Sequence, residues 1–267
     1  GFPGLQKAML GWRDSKLYIF AAPPGWGKTA LLLCFALQAL VAGYRVLFIS
    51  LEMPVEDMID RLLCIHGSIN SLRFQERRIT ADERQRLQHA RRDLQATRES
   101  RRFTIARLKY PTLAQLRTKI AAHQLDPGFD LVFIDYIGTD TIAPDDTTAG
   151  NELAHASAIY TTLKNVKEDY GVPVIVSAQM NQKWDSRRGK RPGNTDLFYG
   201  SIGRFVADVI AFIYHPAKAN PEDDLLDARM AEIVLRKNRS GPTGDDVTCD
   251  ILLEAEYERF SPTPERP

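Results

Sequence analysis

The sequence has little of what metal sites and disulfide frameworks require. Its three cysteines, Cys34, Cys64 and Cys249, are far apart and form no CxxC pair. This spacing excludes the common zinc and disulfide patterns and favours buried thiols in a reducing compartment. The histidines also lack the spacing of metal ligands, so we assign them neither a metal nor a catalytic role. They are His66, His89, His123, His155 and His215.

Long apolar runs and an excess of one charge are also absent. The longest apolar run, residues 30–42, is interrupted by Gln38 and is too short to span a membrane. The first residues, Gly-Phe-Pro-Gly, lack the basic and apolar regions of a secretory signal. Lys and Arg total 35 against 34 Asp and Glu, so any attraction to a polyanion must come from a local patch. We expect a soluble cytoplasmic protein with no membrane contact.

Short apolar runs, rich in β-branched and aromatic residues, alternate with stretches of helix length. The first five runs are 17–22, 45–50, 103–106, 130–135 and 172–178. This alternation predicts the α/β class, with a mostly parallel sheet covered by helices on both faces. Three later runs, 206–214, 231–236 and 247–253, have no long helix between them. We therefore expect antiparallel strands at the C-terminal edge of the sheet.

Capping residues mark the ends of three predicted helices. Thr80 with Glu83, and Thr112 with Gln115, have the spacing of capping boxes. Residues 151–170 form a helical pattern that Gly171 ends.

Residues 22–29, Ala-Pro-Pro-Gly-Trp-Gly-Lys-Thr, join the first predicted strand to an apolar helix. This is the context of a phosphate-binding loop (P-loop), whose backbone N–H groups and helix N-terminus attract phosphate. In this pattern Lys28 reaches the β- and γ-phosphates of ATP, and Thr29 binds Mg²⁺. Ala22 replaces the usual first glycine. The predicted nucleotide-binding residues are Pro24, Gly25, Trp26, Gly27, Lys28, Thr29 and Ala30.

Three polar residues that follow predicted strands suit the same chemistry. Asp135 ends an apolar run, where a carboxylate either caps a turn or holds Mg²⁺; the P-loop favours Mg²⁺. Glu52 is either a general base for the attacking water or a carboxylate favoured at a helix N-terminus. Gln179 either senses the γ-phosphate or bonds to the following backbone. The residues by themselves leave the choices for Glu52 and Gln179 open.

Six stretches, in order, resemble the motifs of DnaB-type replicative helicases and span nearly the whole chain. They are 22–29, Ser50-Leu51-Glu52-Met53, Ile134-Asp135-Tyr136, Ser177-Ala178-Gln179-Met180-Asn181, the segment 196–208 with Gly200-Ser201-Ile202 and Ala207-Asp208, and Lys237 to Gly244. Ser-Leu-Glu, combined with Lys-x-Arg-x-Gly-Pro, is far more specific than a P-loop. The resemblance implies a RecA-like P-loop domain.

In that family, six such domains form a ring around single-stranded DNA, with ATP between neighbouring subunits. The resemblance therefore implies an ATP- and Mg²⁺-dependent DNA helicase for replication, with 5′-to-3′ polarity and a bacterial or phage origin. Its implied partners are single-stranded DNA, other copies of the chain in a hexamer, primase and a helicase loader. The resemblance makes Glu52 the catalytic base and lets Gln179 couple the γ-phosphate to DNA contact.

The resemblance also gives Lys237 and Arg239 a role at the neighbour's ATP, with Arg239 as the arginine finger. Such a finger stabilises charge that develops on the phosphoryl group. Without the resemblance, the alternative is a basic strand end that makes surface ion pairs.

DNA contacts are expected in two segments. The basic loop, residues 181–193, has five basic residues against one Asp, with Trp184 among them. Basic groups neutralise phosphates and an aromatic ring can stack on a base, although such a loop can also be a solvated surface. The second segment has Phe198-Tyr199 where bacterial members carry Arg-Glu-Ser, and Arg204 is placed to supply the missing charge. The predicted DNA-binding residues are Lys183, Arg187, Arg188, Lys190, Arg191, Gly200, Ser201 and Arg204.

We expect one motor domain over residues 1–267, without the N-terminal collar domain and linker helix of DnaB-type helicases. Two other functions stay open at this point. One is a RecA-like recombinase or other DNA-binding ATPase that does not unwind. The other is an assembly factor whose P-loop only binds nucleotide, against which Glu52 argues.

Overall fold

A central sheet organises the part of the chain that the structure, a computed structural model, describes: residues 2–181, 184, 191–244 and 247–263. The strands are β1 Leu17–Ala22, β2 Val46–Ser50, β3 Phe103–Arg107, β4 Leu131–Ile137, β5 Val174–Gln179, β6 Val209–Tyr214, β7 Met230–Asn238, β8 Thr248–Glu254 and β9 Arg259–Pro262. They lie in the order β3-β2-β4-β5-β1-β6-β7-β8-β9. The strands from β3 to β6 are parallel, and β6 to β9 are antiparallel.

Helices cover both faces of this sheet. In the described residues they are α1 Pro3–Met9, α2 Lys28–Val41, α3 Val55–Gly67, α4 Ser71–Gln75, α5 Ala81–Glu99, α6 Leu113–Leu125, α7 Glu152–Tyr170, α8 Gly200–Val206 and α9 Pro216–Ala219. The Thr80 and Thr112 side chains accept from the third helical amides, so both predicted capping boxes are confirmed. Gly171 ends α7 with a φ of 67°. None of these helices combines the length and apolar character needed to cross a membrane.

Two apolar cores lie on opposite faces of the sheet. Tyr18 and Phe20 of β1 enter the core beneath α2 and α3, whereas Leu17 and Ile19 enter the core beneath α6 and α7. This alternation follows from the two-residue period of a strand. Strands β1, β2 and β4 are buried throughout because helices cover both faces, which explains their nearly continuous apolar sequences.

The predicted α/β class, parallel sheet and antiparallel C-terminal strands are confirmed. The 206–214 run proves to be divided, because α8 ends at Val206 and β6 begins only at Val209. Strand β9 was not predicted from the sequence; it pairs with β8 and buries Phe260.

The sheet brings the predicted site segments together at one end. Ala22, the last residue of β1, is paired with Gln179, the last residue of β5. Ser50, the last residue of β2, is paired with Asp135 of β4. We call this the carboxyl end of the sheet, and the opposite end, where β1 and β6 begin, the amino end. Ligands of open α/β sheets bind outside the carboxyl ends of the strands.

Candidate active site

The P-loop connects β1 to α2 at the carboxyl end. Gly25 and Gly27 have φ values of 73° and 91°, in the left-handed region that favours glycine. The Lys28 ammonium donates to the carbonyl oxygens of Ala22 at 3.0 Å and Pro23 at 3.1 Å. Burial lowers the Lys28 pKa, although the nearby carboxylates of Asp135 and Glu52 oppose this shift. The ammonium thus lies inside the loop, where a phosphate would gain from its charge.

Thr29 and Asp135 meet beside this loop. The Thr29 hydroxyl donates to Asp135 Oδ2 at 2.7 Å, and the Ser177 hydroxyl donates to Oδ1. Burial raises the pKa of Asp135, while these two hydrogen bonds and the Lys28 charge hold it down. A hydroxyl and a carboxylate oxygen this close are hard ligands of the kind Mg²⁺ takes next to a nucleotide. Among the described residues, no group of three or more His, Cys, Asp or Glu side chains is placed to hold a metal ion.

Glu52 lies just beyond β2, and a short turn sets its position. The Ser50 hydroxyl accepts from the Met53 amide at 2.9 Å and donates to the Met53 carbonyl at 2.8 Å. The Glu52 side chain is exposed, and its charge acts on both Lys28 and Tyr136. A carboxylate that is open to water and close to the phosphate-binding lysine has the placement a general base needs.

Gln179 is half-buried and ends β5, level with Ala22 at the start of the P-loop. Its carbonyl accepts from the Phe198 amide at 3.1 Å. Its backbone therefore joins the P-loop side of the sheet to the segment that leads into α8. This location suits both roles that the sequence left open for it.

A cluster of aromatic side chains packs around Trp26 of the P-loop. Trp26 contacts Trp184, Tyr214 and His215, with ring centroids 5.2, 6.3 and 5.4 Å away. Trp184, expected to offer its ring to a base, is only 3% exposed. That expectation is corrected. The apolar ring of Trp184 is more stable when it packs against Trp26 than when it is exposed to water.

Lys237 and Arg239 lie at the amino end of the sheet. Lys237 is paired with Ile210 near the start of β6, and the Arg239 amide donates to the Asp208 carbonyl at 3.0 Å. Asp208 in turn donates its amide to Leu17, the first residue of β1. The P-loop follows the other end of that six-residue strand, which is roughly 17 Å long at 3.3–3.4 Å per residue.

The predicted DNA-binding residues do not form one group. Lys183, Arg187, Arg188 and Lys190 lie outside the described residues. Arg191 makes a two-pronged ion pair with Glu232 of β7, at 2.7 and 2.9 Å. Its charge is therefore balanced within the chain.

The other three predicted DNA-binding residues belong to α8. Gly200 is buried and its amide donates to Leu197 at 2.8 Å, whereas Ser201 is exposed at the first turn. Arg204 is exposed near the other end of the helix, where the Lys237 side chain lies. Of these three residues of α8, Ser201 and Arg204 are the two that are exposed to solvent.

Three contacts around the P-loop were missed by the sequence reasoning. Lys218 Nζ donates to the Gly25 carbonyl at 3.0 Å, and His215 Nε2 lies 3.2 Å from the Trp26 carbonyl. Both residues are about 190 positions along the chain from the loop, and no local sequence pattern predicts their contacts with it. The third residue, Ser177, carried a signal, because it opens the Ser-Ala-Gln motif.

Comparisons with known proteins agree with this geometry. The chain is 28% identical over 261 residues to the replicative DNA helicase DnaB of Geobacillus stearothermophilus and to the replicative DNA helicase DnaC of Bacillus subtilis. Each alignment covers 97% of this chain and 55% of the relative, so the chain spans about half the length of these relatives.

Two solved structures have the same fold. One, the ATPase domain of another protein, superposes with a TM-score of 0.86 and 25% identity, over 99% of this chain and 90% of that one. A DnaB-like replicative helicase, described with its interactions with primase, gives the same TM-score and identity over 99% and 61%. Residues 1–262 match the family model of the DnaB-like helicase C terminal domain. The chain therefore belongs to the DnaB-like helicase C-terminal domain family and has its RecA-like fold.

Proposed function

We propose that this chain is the motor domain of a replicative DNA helicase. In this proposal it hydrolyses ATP between neighbouring copies and uses the cycle to move along single-stranded DNA with 5′-to-3′ polarity. The family membership and the chemistry at the carboxyl end support ATP and Mg²⁺ as cofactors. A ring of six copies and contact with primase and a loader are part of the same proposal, and the primase contact has support from a structural neighbour described with primase. We also propose an intracellular location in a bacterial or phage-infected cell.

One observation carries the proposal: the candidate phosphate- and metal-binding residues and the candidate arginine finger lie at opposite ends of the same sheet. Lys28, Thr29, Glu52 and Asp135 converge at the carboxyl end. Arg239, a strand length away, is too far to reach a phosphate at its own P-loop. A second copy can supply the missing cation, because a head-to-tail contact repeats around a ring.

Each residue then has a defined task. Lys28 neutralises the β- and γ-phosphates. Thr29 and Asp135 would hold Mg²⁺, which would offset the negative charge of the nucleotide. Glu52 takes the proton of the attacking water. Lys237 and Arg239 of the neighbouring copy stabilise charge that develops on the transferred phosphoryl group.

DNA contact is proposed at the central channel through Ser201, Arg204 and the basic loop. Gln179 links these segments to the nucleotide, because its carbonyl holds the Phe198 amide two residues before α8. If Gln179 lost its contact with the nucleotide, a shift of its backbone would therefore move the segment that bears Ser201.

The test of a composite site is a mixture of two inactive variants. Lys28→Ala removes the phosphate lysine and is expected to abolish hydrolysis. Arg239→Ala is expected to keep nucleotide binding while lowering kcat by roughly 10³-fold or more. A mixture should recover hydrolysis, because some interfaces then combine an intact P-loop with an intact Arg239. A mixture as inactive as its parts would contradict action between copies.

The alternative, a DNA-binding ATPase of the recombinase type, shares the composite site and differs in its effect on duplex DNA. A forked duplex with a 5′ tail separates the two. Strand displacement that requires ATP and the 5′ tail supports the helicase, and DNA-stimulated hydrolysis with no displacement by the assembled protein supports the alternative.

A further inference from the structure

A buried carboxylate at the amino end, Asp208, collects cations and has no part in the chemistry described above. It is 2% exposed, and its Oδ2 accepts from the Leu17 amide at 2.9 Å and from the buried Lys167 ammonium. Its Oδ1 lies 3.4 Å from both Lys16 Nζ and Arg239 Nη1. One carboxylate thus faces three cations, one of which is the proposed finger.

Arg239 makes two further hydrogen bonds to residues in and next to the end of α8. Its Nη2 donates to the Phe205 carbonyl at 2.7 Å, and its amide donates to the Asp208 carbonyl at 3.0 Å. Lys237 donates to the carbonyls of Arg204 and Ala207. Within the described part of the chain, every hydrogen bond from these two side chains ends on residues 204–208.

That segment is the C-terminal end of α8 and the residues that follow it. The helix begins at Gly200 and Ser201, the proposed DNA-contact residues, and packs against α7 where a side chain at Gly203 would come within 3.0 Å of the Tyr160 ring. A seven-residue helix is about 10 Å long. Arg204, a further proposed DNA-contact residue, lies in the segment that binds Lys237 and Arg239. The proposed DNA contacts and the residues that hold the finger therefore belong to one short helix and the residues that follow it.

These contacts leave the Arg239 guanidinium partly exposed and free to bind a phosphate. The Arg239 side chain is 49% exposed, and only two of its five N–H donors are committed by its contacts with Asp208 and Phe205. Burial alone would raise the pKa of Asp208, but the Lys167 and Leu17 hydrogen bonds and the nearby cations bring it below its usual value. The carboxylate is thus charged at neutral pH and attracts the guanidinium.

We propose that Asp208 is a positioning residue for the trans-acting finger. It fixes Arg239 on the end of α8, so that the helix carrying the proposed DNA contact also sets the angle at which the guanidinium meets the neighbouring copy's nucleotide. This inference rests on the proposed function, since it gives Arg239 a target only in a neighbouring copy.

The first variant is Asp208→Asn, which keeps the shape and removes the charge. Because this change leaves Lys167 buried without its partner, the double variant Asp208→Asn with Lys167→Met removes both charges and protects the fold. We expect either variant to bind nucleotide as the parent does and to lose roughly 10- to 100-fold in kcat, with little change in KM, because a misplaced group costs rate.

Lys16→Met is the matched control, because Lys16 lies at the same distance from Asp208 Oδ1 and does not touch Arg239. Its kcat should stay within about twofold of the parent, because Lys16 is partly exposed, its contact with Asp208 is long at 3.4 Å, and weakly held ion pairs contribute little. If Lys16→Met lowers kcat as much as Asp208→Asn, the specific link between Asp208 and Arg239 is refuted.

A mixture of two variants distinguishes a misplaced Arg239 from damage to the variant chain's own nucleotide site. Asp208→Asn mixed with Lys28→Ala should regain hydrolysis, because about one interface in four then pairs an intact P-loop with an intact Arg239 and Asp208. No recovery here, together with recovery in the Arg239→Ala mixture, would overturn the role of Asp208 and leave the composite site standing. No recovery in either mixture would overturn the composite site itself.

Discussion

Trp26 of the P-loop and Trp184 of the basic loop lie edge to face, with ring centroids 5.2 Å apart and ring planes at 89°. The two residues are far apart in sequence and belong to different predicted sites. Their contact joins the phosphate-binding loop to the loop expected to meet DNA. An edge-to-face pair of aromatic rings contributes about 0.5–1.5 kcal/mol beyond the area that it buries.

A double-mutant cycle on this pair measures the contact. We expect Trp26→Ala and Trp184→Ala each to lower the free energy of unfolding, with a coupling of about 1 kcal/mol between them. Denaturant unfolding of the parent, both single variants and the double variant gives this number. Additive effects of the two substitutions would mean that the contact contributes nothing of its own.

Replacing the proposed general base tests the chemistry directly. Glu52→Gln preserves size and removes the group that takes the proton, so kcat should fall roughly 10²- to 10⁴-fold. Nucleotide affinity should change little, because Lys28 and the loop amides stay in place. Glu56→Gln is a suitable control, since Glu56 is also exposed and lies on the first turn of α3. An unchanged hydrolysis rate in Glu52→Gln would revive the non-enzymatic assembly factor.

Ser177 should tune the proposed Mg²⁺ site without touching the nucleotide. It is fully buried and gives its hydroxyl to Asp135 Oδ1, the oxygen that does not contact Thr29. Ser177→Ala is expected to raise the Mg²⁺ concentration for half-maximal hydrolysis by about 10-fold or more, because outer partners orient metal-binding carboxylates. Titration of Mg²⁺ at saturating ATP measures this shift. A change in kcat with an unmoved Mg²⁺ midpoint would assign Ser177 another role.

His215 should make the fold sensitive to mild acid. Burial, with the nearby Lys218 charge, lowers the pKa of His215 to about 4 from an ordinary value of 6.5. Between these values the unfolded chain takes up the proton and the folded chain does not, so stability is complete above pH 6.5 and falls as the pH drops toward 4. At pH 5 this group alone costs about 1–2 kcal/mol.

The comparison variant is His215→Gln, whose amide can still donate to the Trp26 carbonyl. Unfolding free energies of both proteins at pH 7 and pH 5 isolate the histidine from the other titrating groups. The loss on acidification should be larger for the parent than for the variant. Equal losses would show that His215 is not the group responsible.

Local patterns predicted the parts of the fold that depend on neighbouring residues. The first strand was predicted over the residues that form β1, and the capping boxes at Thr80 and Thr112 form as expected. Strand β9 escaped prediction because its four residues include Pro262 and only Phe260 is buried. It is held by pairing with β8, a tertiary contact that no short window of sequence contains.

The site divides in the same way. The P-loop, Glu52, Asp135 and Gln179 could be placed because each ends or follows an apolar run of a strand, and parallel strands end together. Trp184 could not, since its charged surroundings suggested a solvent-facing ring and the partner that buries it lies in the P-loop. The role of Asp208 likewise depends on four segments that meet only in the folded chain.

The separation of Lys28 and Arg239 at opposite ends of β1 determines how many complete active sites a given number of chains can form. In the proposed composite site, a single chain holds two unlike half-sites and no complete one. An open row of copies, whatever its length, always has one complete site fewer than it has chains. Closure alone supplies the last site, so hydrolysis per chain should rise with protein concentration and reach its ceiling only when the row has no free ends.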